Sequence, residues 1–231
     1  SFSLAGRNMV AARDPWGFRP LVIGKRDDVF YVASETCALN LVGATTLREV
    51  EPGEVIIFGP DGMNSIRIPV DVKRRFLCAF EFVYFARPDS VISGKSVYET
   101  RRELGRRLAL RSPRGDADLV TGIPDSGTIA ALGYAEESGV PYEQTVIRNR
   151  YVGRTFIEPT QRVRELGVKI KLNPITEVLS GKNVVAVDDS IVRGTTCQRM
   201  ISLIKACGAS QVHLRISSPP VRFPCYYGID T

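Results

Sequence analysis

The feature that most constrains the fold is a segment near the C-terminal end in which a strand, a loop, a helix and a second strand follow one another. The apolar run Val184–Val187 leads into two aspartates and a glycine-containing loop, and a helix is predicted from about Thr196 to Cys207. Gly208 ends that helix, and another strand is predicted near Val212–Ile216. Strands that alternate with helices in this way are typical of a parallel sheet covered by helices.

The first third of the chain has a different pattern, in which short β-rich runs are separated by Gly, Pro and Asp residues. Such runs predict antiparallel strands. The runs are Leu21–Ile23, Val29–Val32 and Val55–Phe58. Beyond Cys78 the alternating pattern begins, with helices predicted at Val97–Arg111 and Thr128–Ser138 and a strand at Leu119–Thr121. We therefore expect two domains, residues 1–77 with antiparallel β-structure and residues 78–231 with an α/β fold.

The composition is that of a globular protein. The chain has 231 residues, 44% of them hydrophobic and 24% charged, and its apolar runs are far shorter than the roughly 18 to 20 residues that cross a bilayer. Its first residues lack the pattern of a signal peptide. Five cysteines at irregular spacings do not suggest a disulfide framework. We expect a cytoplasmic protein without a membrane partner.

The net charge of +6 arises mainly from two arginine-rich segments, residues 101–115 and 148–164. The first is predicted to be a helix with Leu104 and Leu108 as its buried stripe. Its arginines are interpreted as a solvated or subunit-contacting face. The only histidine, His213, falls within a predicted strand and is interpreted as a packed residue rather than an acid or base.

Two adjacent acids, Asp188 and Asp189, directly follow the apolar strand. Ligand sites of open α/β sheets lie at the carboxyl ends of strands, and carboxylates there can accept hydrogen bonds from ribose hydroxyls or bind Mg²⁺. The next loop offers a phosphate hydroxyl groups, a glycine and a helix start; its residues are Ser190, Arg193, Gly194, Thr195 and Thr196. A lone Asp-Asp pair would suit a capped strand end equally well, but the complete spacing favours a sugar phosphate.

A second strand end, after Leu119–Thr121, has a similar composition. Gly122, Asp125, Ser126 and Gly127 form a short loop before the next helix. Small residues at such a turn let a pyrophosphate lie against the backbone. Taken alone, the loop is as well explained by an ordinary turn.

The segment Val184–Thr196 resembles the phosphoribosyl pyrophosphate signature of the type I phosphoribosyltransferases. Further segments extend the resemblance to the family of glutamine phosphoribosylpyrophosphate amidotransferases; they are Arg13–Leu21, Ser34–Leu39, Phe80–Ser90 and Arg148–Pro159. The resemblance implies that residues 1–77 are the C-terminal part of an antiparallel class II glutaminase (Ntn-type) domain. Residues 78–231 would be a type I phosphoribosyltransferase domain that is incomplete at its C-terminus, so we expect a fragment.

This family transfers ammonia from glutamine to phosphoribosyl pyrophosphate, giving phosphoribosylamine, glutamate and pyrophosphate, the first committed step of purine synthesis. The resemblance implies that Ser190–Thr196 bind the 5-phosphate and that Asp188 and Asp189 bind the ribose hydroxyls or Mg²⁺. Ser126 would complete the Mg²⁺ environment within the pyrophosphate loop that also contains Asp125 and Gly127.

The segment Arg148–Arg164 resembles the family's mobile loop, which closes over bound substrate. Closure would expel water and add cations near the leaving group. The resemblance makes Arg150, Arg154 and Tyr151 the candidate catalytic residues, with Tyr151 covering the sugar. On its residues alone, the segment is also consistent with a solvated basic loop.

The resemblance also implies groups that this sequence lacks. In the family an N-terminal cysteine attacks glutamine, whereas residue 1 here is Ser, so we expect this polypeptide not to hydrolyse glutamine. Cys78 and Cys225 coincide with two of the four thiolate positions of members that bind a [4Fe-4S] cluster. The other two ligands would lie outside the chain. Without the resemblance, both are interpreted as buried structural thiols.

Two other functions remain open: a phosphoribosyl pyrophosphate sensor that binds nucleic acid, and a transferase for a nitrogenous base. The glutaminase-like first third and the segment Arg148–Pro159 favour the amidotransferase, which needs no nucleic acid. The resemblance further implies inhibition by purine nucleotides and a homotetramer. A plastid location is the alternative to the cytoplasm.

Overall fold

The chain divides into two units in the computed structural model, Ser1–Thr100 and Arg101–Thr231. The structure describes residues 2–5, 8–69, 74–149, 172–192 and 194–227. The boundary between residues 77 and 78 that the sequence suggests for two domains stays a prediction. Among the described residues, none of the helices is both long and apolar enough to traverse a lipid bilayer.

The first unit contains two antiparallel sheets, in agreement with the strand character predicted for the first third of the chain. One sheet has the strand order β1-β2-β6-β7 and the other β4-β3-β5. The strands are β1 (Phe2–Ala5), β2 (Asn8–Ala12), β3 (Val22–Arg26), β4 (Val29–Ala33), β5 (Thr45–Glu49), β6 (Glu54–Gly59) and β7 (Gly62–Arg67). The largest apolar cluster of this unit is centred on Ile23, Ile56 and Phe58, contributed by both sheets.

Three shorter elements and a helix complete the first unit. They are α1 (Thr36–Leu41), a π-helical turn at Glu81–Phe85, and the strands β8 (Val91–Ile92) and β9 (Lys95–Ser96), which pair with each other. Cys37 lies in α1 and is buried.

Glu54, at the start of β6, is the centre of a buried ionic network in the first unit. Its carboxylate accepts hydrogen bonds from two Arg48 guanidinium nitrogens at 2.8 and 2.7 Å. The Glu51 amide and the Ser65 hydroxyl donate to it at 2.7 and 2.5 Å. Chiefly because of the Arg48 hydrogen bonds, the pKa of Glu54 falls to about 2.

The second unit is built on a parallel three-stranded sheet, as the sequence predicts. Its order is β10-β13-β14, with Val120 opposite Val185 and Val185 opposite His213. The remaining elements of this unit are β10 (Leu119–Gly122), α3 (Gly127–Ser138), β11 (Val146–Arg148), β12 (Leu172–Pro174), α4 (Thr176–Leu179), β13 (Asn183–Asp188), α5 (Thr195–Ala206) and β14 (Gln211–Ile216). Helix α2 (Val97–Arg111) begins in the first unit and continues into the second.

Helices cover both faces of this sheet, which explains why its strands are continuous apolar runs. On one face, Val185 and Val187 pack in a cluster with residues of α2 and α3, including Ala109 and Tyr134. On the other face, Val184 and Ala186 join a cluster with Leu179 of α4 and residues of α5. The alternation of side chains along β13 therefore supplies two cores at once.

The prediction that Leu104 and Leu108 form the buried stripe of α2 is wrong. Leu104 and Leu108 are only half-buried, while Arg101, Gly105 and Ala109 are buried. The reason is a close approach between α2 and α3. A Cβ added at Gly105 would lie 1.9 Å from the carbonyl oxygen of Ala130, so only a residue without a side chain fits there.

The arginines of α2 are also less solvated than expected. Arg102 and Arg106 both form ion pairs with Glu136 of α3, and Arg107 pairs with Glu103 one turn away. Part of this arginine-rich surface of α2 therefore forms ion pairs within the chain.

We expect the close approach of α2 and α3 to make Gly133 intolerant of even one added methyl group. A Cβ at Gly133 would lie 1.9 Å from the carbonyl oxygen of Arg102, so the Gly133→Ala variant must separate the helices and should lose about 2 kcal/mol of stability. Urea unfolding followed by far-ultraviolet circular dichroism measures this loss. Gly115→Ala is the matched control, because no atom lies within 4 Å of its added Cβ. Equal stability of the two variants would contradict the expectation.

Candidate active site

The two loops singled out in the sequence lie side by side, at the carboxyl ends of β10 and β13. The Ile123 amide donates a hydrogen bond to the carbonyl oxygen of Val187 at 2.8 Å. A Cβ at Gly127 would lie 2.4 Å from that same oxygen and 3.0 Å from Cα of Asp188. Gly127 therefore allows the start of α3 to lie directly against the strand that ends in the paired acids.

The paired acids are buried, and their backbone is fixed by the strand that lies beside them. Asp188 is 9% exposed and Asp189 5%. The Ser217 amide donates to the carbonyl oxygen of Asp188 at 3.0 Å, and the Ser218 amide donates to that of Asp189 at 2.9 Å. The acids thus extend the β13 to β14 pairing beyond the last residue of each strand.

Both carboxylate oxygens of Asp188 accept hydrogen bonds. The Asp189 amide donates to Oδ1 at 2.9 Å, and the Cys197 thiol donates to Oδ2 with a sulfur to oxygen distance of 3.7 Å. Burial, reinforced by the charge of Asp189, raises the pKa of Asp188 to about 6. A cation or a hydroxyl donor placed here would relieve this unfavourable concentration of negative charge.

The Cys197 thiol and the Ser190 hydroxyl both donate hydrogen bonds to the paired acids. Burial and the Asp188 charge raise the pKa of Cys197 to about 11, so its sulfur is a protonated donor. The Ser190 hydroxyl donates to Oδ1 of Asp189.

The loop after the paired acids leads into the exposed N-terminus of α5. Gly194 has a φ of 72°, a left-handed conformation that suits glycine, and it precedes the first residue of α5. No atom lies within 4 Å of a Cβ added at Gly194, and Thr195 and Thr196 are exposed. Helix amides and threonine hydroxyls are thereby available to an anion.

The second loop presents a carboxylate and a hydroxyl. Asp125 is exposed, and its carboxylate forms an ion pair with Arg148 at the end of β11. Ser126, half-buried, directly precedes the first residue of α3. The structure therefore brings together Asp188, Asp189, Ser190 and Gly127, with Ser126 adjacent in sequence to Gly127.

Several residues proposed from the sequence lie outside the described residues, namely Arg150, Tyr151, Arg154 and Arg193. Cys78 is half-buried in the first unit, and Cys225 is exposed in the second; the interpretation of Cys225 as a buried thiol is wrong. Within the described ranges, no three His, Cys, Asp or Glu side chains form a group that could hold a metal ion.

The sequence reasoning missed two contacts at this site, those of Cys197 with Asp188 and of Arg148 with Asp125. For the first, the helical spacing of Cys197, Met200 and Ile204 indicates a shared buried face, which the structure shows, but not the contact with Asp188. The second joins two loops that are far apart in the sequence, and no local pattern indicates it.

Comparison with known proteins agrees with this geometry. Residues 105–217 match the family model of the phosphoribosyl transferase domain. The chain is 54% identical to the amidophosphoribosyltransferase of Bacillus subtilis, over 96% of this chain and 46% of that protein. It is also 54% identical to a chloroplastic amidophosphoribosyltransferase of Glycine max, over 96% of this chain and 39% of that protein.

A solved structure of the B. subtilis glutamine phosphoribosylpyrophosphate amidotransferase, in complex with ADP and GMP, superposes with a TM-score of 0.91 at 53% identity. It is matched over 100% of this chain and 50% of its own length. The chain thus spans about half the length of the relatives it matches. Residues 105–217 are thus similar to the phosphoribosyl transferase domain, and 96% of the chain is similar to about half of the B. subtilis amidophosphoribosyltransferase.

Proposed function

We propose that this chain carries the transferase site of an amidophosphoribosyltransferase. The reaction takes phosphoribosyl pyrophosphate, glutamine and water to phosphoribosylamine, glutamate and pyrophosphate. The observation that carries the proposal is the pair of buried acids at the end of β13, which lies against the Gly127 loop and precedes Gly194 and the start of α5. Identity of 54% to the B. subtilis amidophosphoribosyltransferase supports it.

The 5-phosphate of the substrate is assigned to the segment Ser190–Thr196. The left-handed Gly194 and the exposed threonines at the start of α5 suit a phosphate monoester. A helix of this length contributes a partial positive charge at its N-terminus. Arg193, a member of the same segment, adds a full positive charge.

The ribose is assigned to Asp188 and Asp189, and the pyrophosphate to the loop of Asp125, Ser126 and Gly127. The donor set also fits Mg²⁺, because this ion binds through one or two carboxylates together with substrate phosphates rather than in an all-protein cage. We propose that Asp188, Asp189 and Ser126 form its environment. When bound, the ion neutralises the charge of the pyrophosphate that leaves.

The remaining catalytic work is positioning. The bond from C1 of the ribose to pyrophosphate breaks as positive charge develops on the sugar, and buried carboxylates stabilise such charge. Arg150 and Arg154 are proposed to approach the leaving group, and Tyr151 to cover the sugar and exclude water.

We propose that residues 1–77 are the C-terminal part of a class II glutaminase domain and residues 78–231 a phosphoribosyltransferase domain. The antiparallel sheets of the first unit support the first assignment. From the resemblance we also propose a [4Fe-4S] cluster in the complete protein, to which Cys78 and Cys225 would contribute two of the four thiolates and residues outside this chain the other two. No step of the mechanism uses it.

Purine nucleotides are proposed as inhibitors, since the B. subtilis relative was solved with ADP and GMP. A homotetramer and a cytoplasmic or plastid location remain proposals from the resemblance, and a chloroplastic relative keeps the plastid open. Nothing in the comparisons favours the nucleic-acid-binding regulator.

The direct test is phosphoribosylamine formation by the complete protein from phosphoribosyl pyrophosphate and Mg²⁺. We expect activity with ammonia as donor, and none above a no-enzyme blank when phosphoribosyl pyrophosphate is replaced by ribose 5-phosphate, whose C1 hydroxyl is a poor leaving group. Binding of phosphoribosyl pyrophosphate without turnover by either ammonia or glutamine would reject the proposal in favour of a sensor. A nucleic-acid probe that shifts at near-physiological salt would point the same way.

A further inference from the structure

Cys197 is a buried thiol that lies directly beneath the paired acids. It is the third residue of α5 and is 8% exposed. Its helical neighbours Met200 and Ile204 are also buried and belong to the apolar cluster between α5 and the sheet. Cys197 is the member of this stripe whose side chain contacts the paired acids.

The thiol of Cys197 points at a functional group rather than only at apolar atoms. Its sulfur lies 3.7 Å from Oδ2 of Asp188, within hydrogen-bond distance for a thiol donor. The other oxygen of that carboxylate, Oδ1, accepts from the Asp189 amide at 2.9 Å. With one donor on each oxygen, the plane of the Asp188 carboxylate is fixed from two directions.

We infer that Cys197 is a positioning residue for the transferase reaction, whose thiol holds the Asp188 carboxylate in the orientation used to bind the ribose. The inference rests on the function proposed above. It assigns no contact between Cys197 and substrate. A weak hydrogen bond is sufficient for this role, because the carboxylate needs orientation rather than an additional charge.

The structure also argues against two other roles for this thiol. A nucleophile must reach the substrate, whereas the Cys197 side chain is buried and its thiol donates to the Asp188 carboxylate. A purely apolar role would be shared by Cys207, which follows the last residue of the same helix, at the end remote from the paired acids, and packs on the same cluster. Cys207 is therefore the matched control.

The test compares variants of the complete protein by calorimetric titration with phosphoribosyl pyrophosphate and Mg²⁺, and by kcat/KM with ammonia. We expect Cys197→Ala to weaken binding and lower kcat/KM about fivefold, since it removes one weak donor to a charged group. Cys197→Ser supplies a hydroxyl donor and should recover most of this loss. Cys207→Ala should differ less than about twofold from the parent protein, as expected for a residue outside the site.

A double-mutant cycle separates positioning from general destabilisation. In an Asp188→Asn background, Cys197→Ala should cause no further loss of affinity. If Cys197→Ala is too unstable to study, Cys197→Val replaces it in the cycle. Valine fills the volume of the cysteine side chain but cannot donate a hydrogen bond.

The inference would be overturned if Cys197→Ala bound phosphoribosyl pyrophosphate as tightly as the parent protein, or if Cys197→Ser recovered none of the loss. It would also be overturned if Cys197→Ala lost as much affinity in the Asp188→Asn background as in the parent protein, or if Cys207→Ala lost as much as Cys197→Ala. A parent protein that fails to bind phosphoribosyl pyrophosphate would instead reject the proposed function itself.

Discussion

Replacing Asp188 and Asp189 together by asparagine should lower kcat/KM for phosphoribosylamine formation by about 1000-fold or more, with ammonia and with glutamine alike. Both side chains are buried at the end of β13, where their charges are little screened by water and act strongly on nearby positive charge. Asparagine keeps the shape of each side chain but removes both negative charges. The variant therefore loses the groups proposed to bind ribose hydroxyls or Mg²⁺.

The two donors make this experiment specific for the transferase site. A loss with glutamine alone would indicate damage to glutamine hydrolysis, whereas a loss with ammonia as well assigns the defect to the paired acids. Glu103→Gln is a suitable control, because Glu103 pairs with Arg107 on the surface of α2 and has no part in the site. Substantial activity of the double variant with ammonia would contradict the proposed role of both acids.

The second large effect concerns stability. Glu54→Gln should destabilise the first unit by about 2 kcal/mol at neutral pH, somewhat less than a fall in pKa of two to three units would give without solvent screening. The pKa of Glu54 falls from 4.5 to about 2, chiefly through the hydrogen bonds from Arg48. The Glu54 side chain is only 5% exposed, whereas that of Arg48 is 38% exposed, so solvent partly screens this pair. Urea unfolding followed by the fluorescence of Trp16, the single tryptophan of the sequence, reports on the first unit.

The sign of the pH dependence follows from the direction of the shift. A carboxylate with a depressed pKa stabilises the fold above its unfolded-state value near 4.5, and this contribution is lost as the pH falls toward 2. The parent protein should therefore lose stability across that interval, and Glu54→Gln should lose less. Glu51→Gln is the control, because its pair with Arg75 is exposed and contributes little. Parallel acid profiles for the parent protein and Glu54→Gln would exclude the network as the cause.

The second unit was the more predictable half of the fold. The run Val184–Val187 is apolar on every residue because helices cover both faces of the sheet, and Gly139 and Gly208 both follow helices, as the sequence predicts. The buried face of α2 was not predictable from apolar periodicity. Gly105 and Gly133 allow α2 and α3 to approach closely, so the most buried face of α2 is that of Gly105 and Ala109 rather than that of its leucines. The distance between two helices cannot be predicted from apolar periodicity.

The site was predictable where its residues are consecutive. Asp188 ends strand β13, and Asp189 and Ser190 follow it directly, so their common location is a direct result of the chain path. Contacts between residues that are distant in sequence, such as that of Arg148 with Asp125, depend on how two loops meet. The assignments of Arg150, Tyr151, Arg154 and Arg193 stay predictions, since those residues lie outside the described ranges.

The hydrogen bonds from Ser217 and Ser218 to the backbone of the paired acids have a thermodynamic consequence for binding. β13 is the central strand of its sheet, and it is paired on both sides. The backbone at the acids is thus ordered before any ligand arrives, and a ligand that binds there need not supply the roughly 1 to 2 kcal/mol per residue that ordering a flexible backbone requires. The binding free energy from contacts with Asp188 and Asp189 is therefore not reduced by a loss of backbone entropy at these two residues.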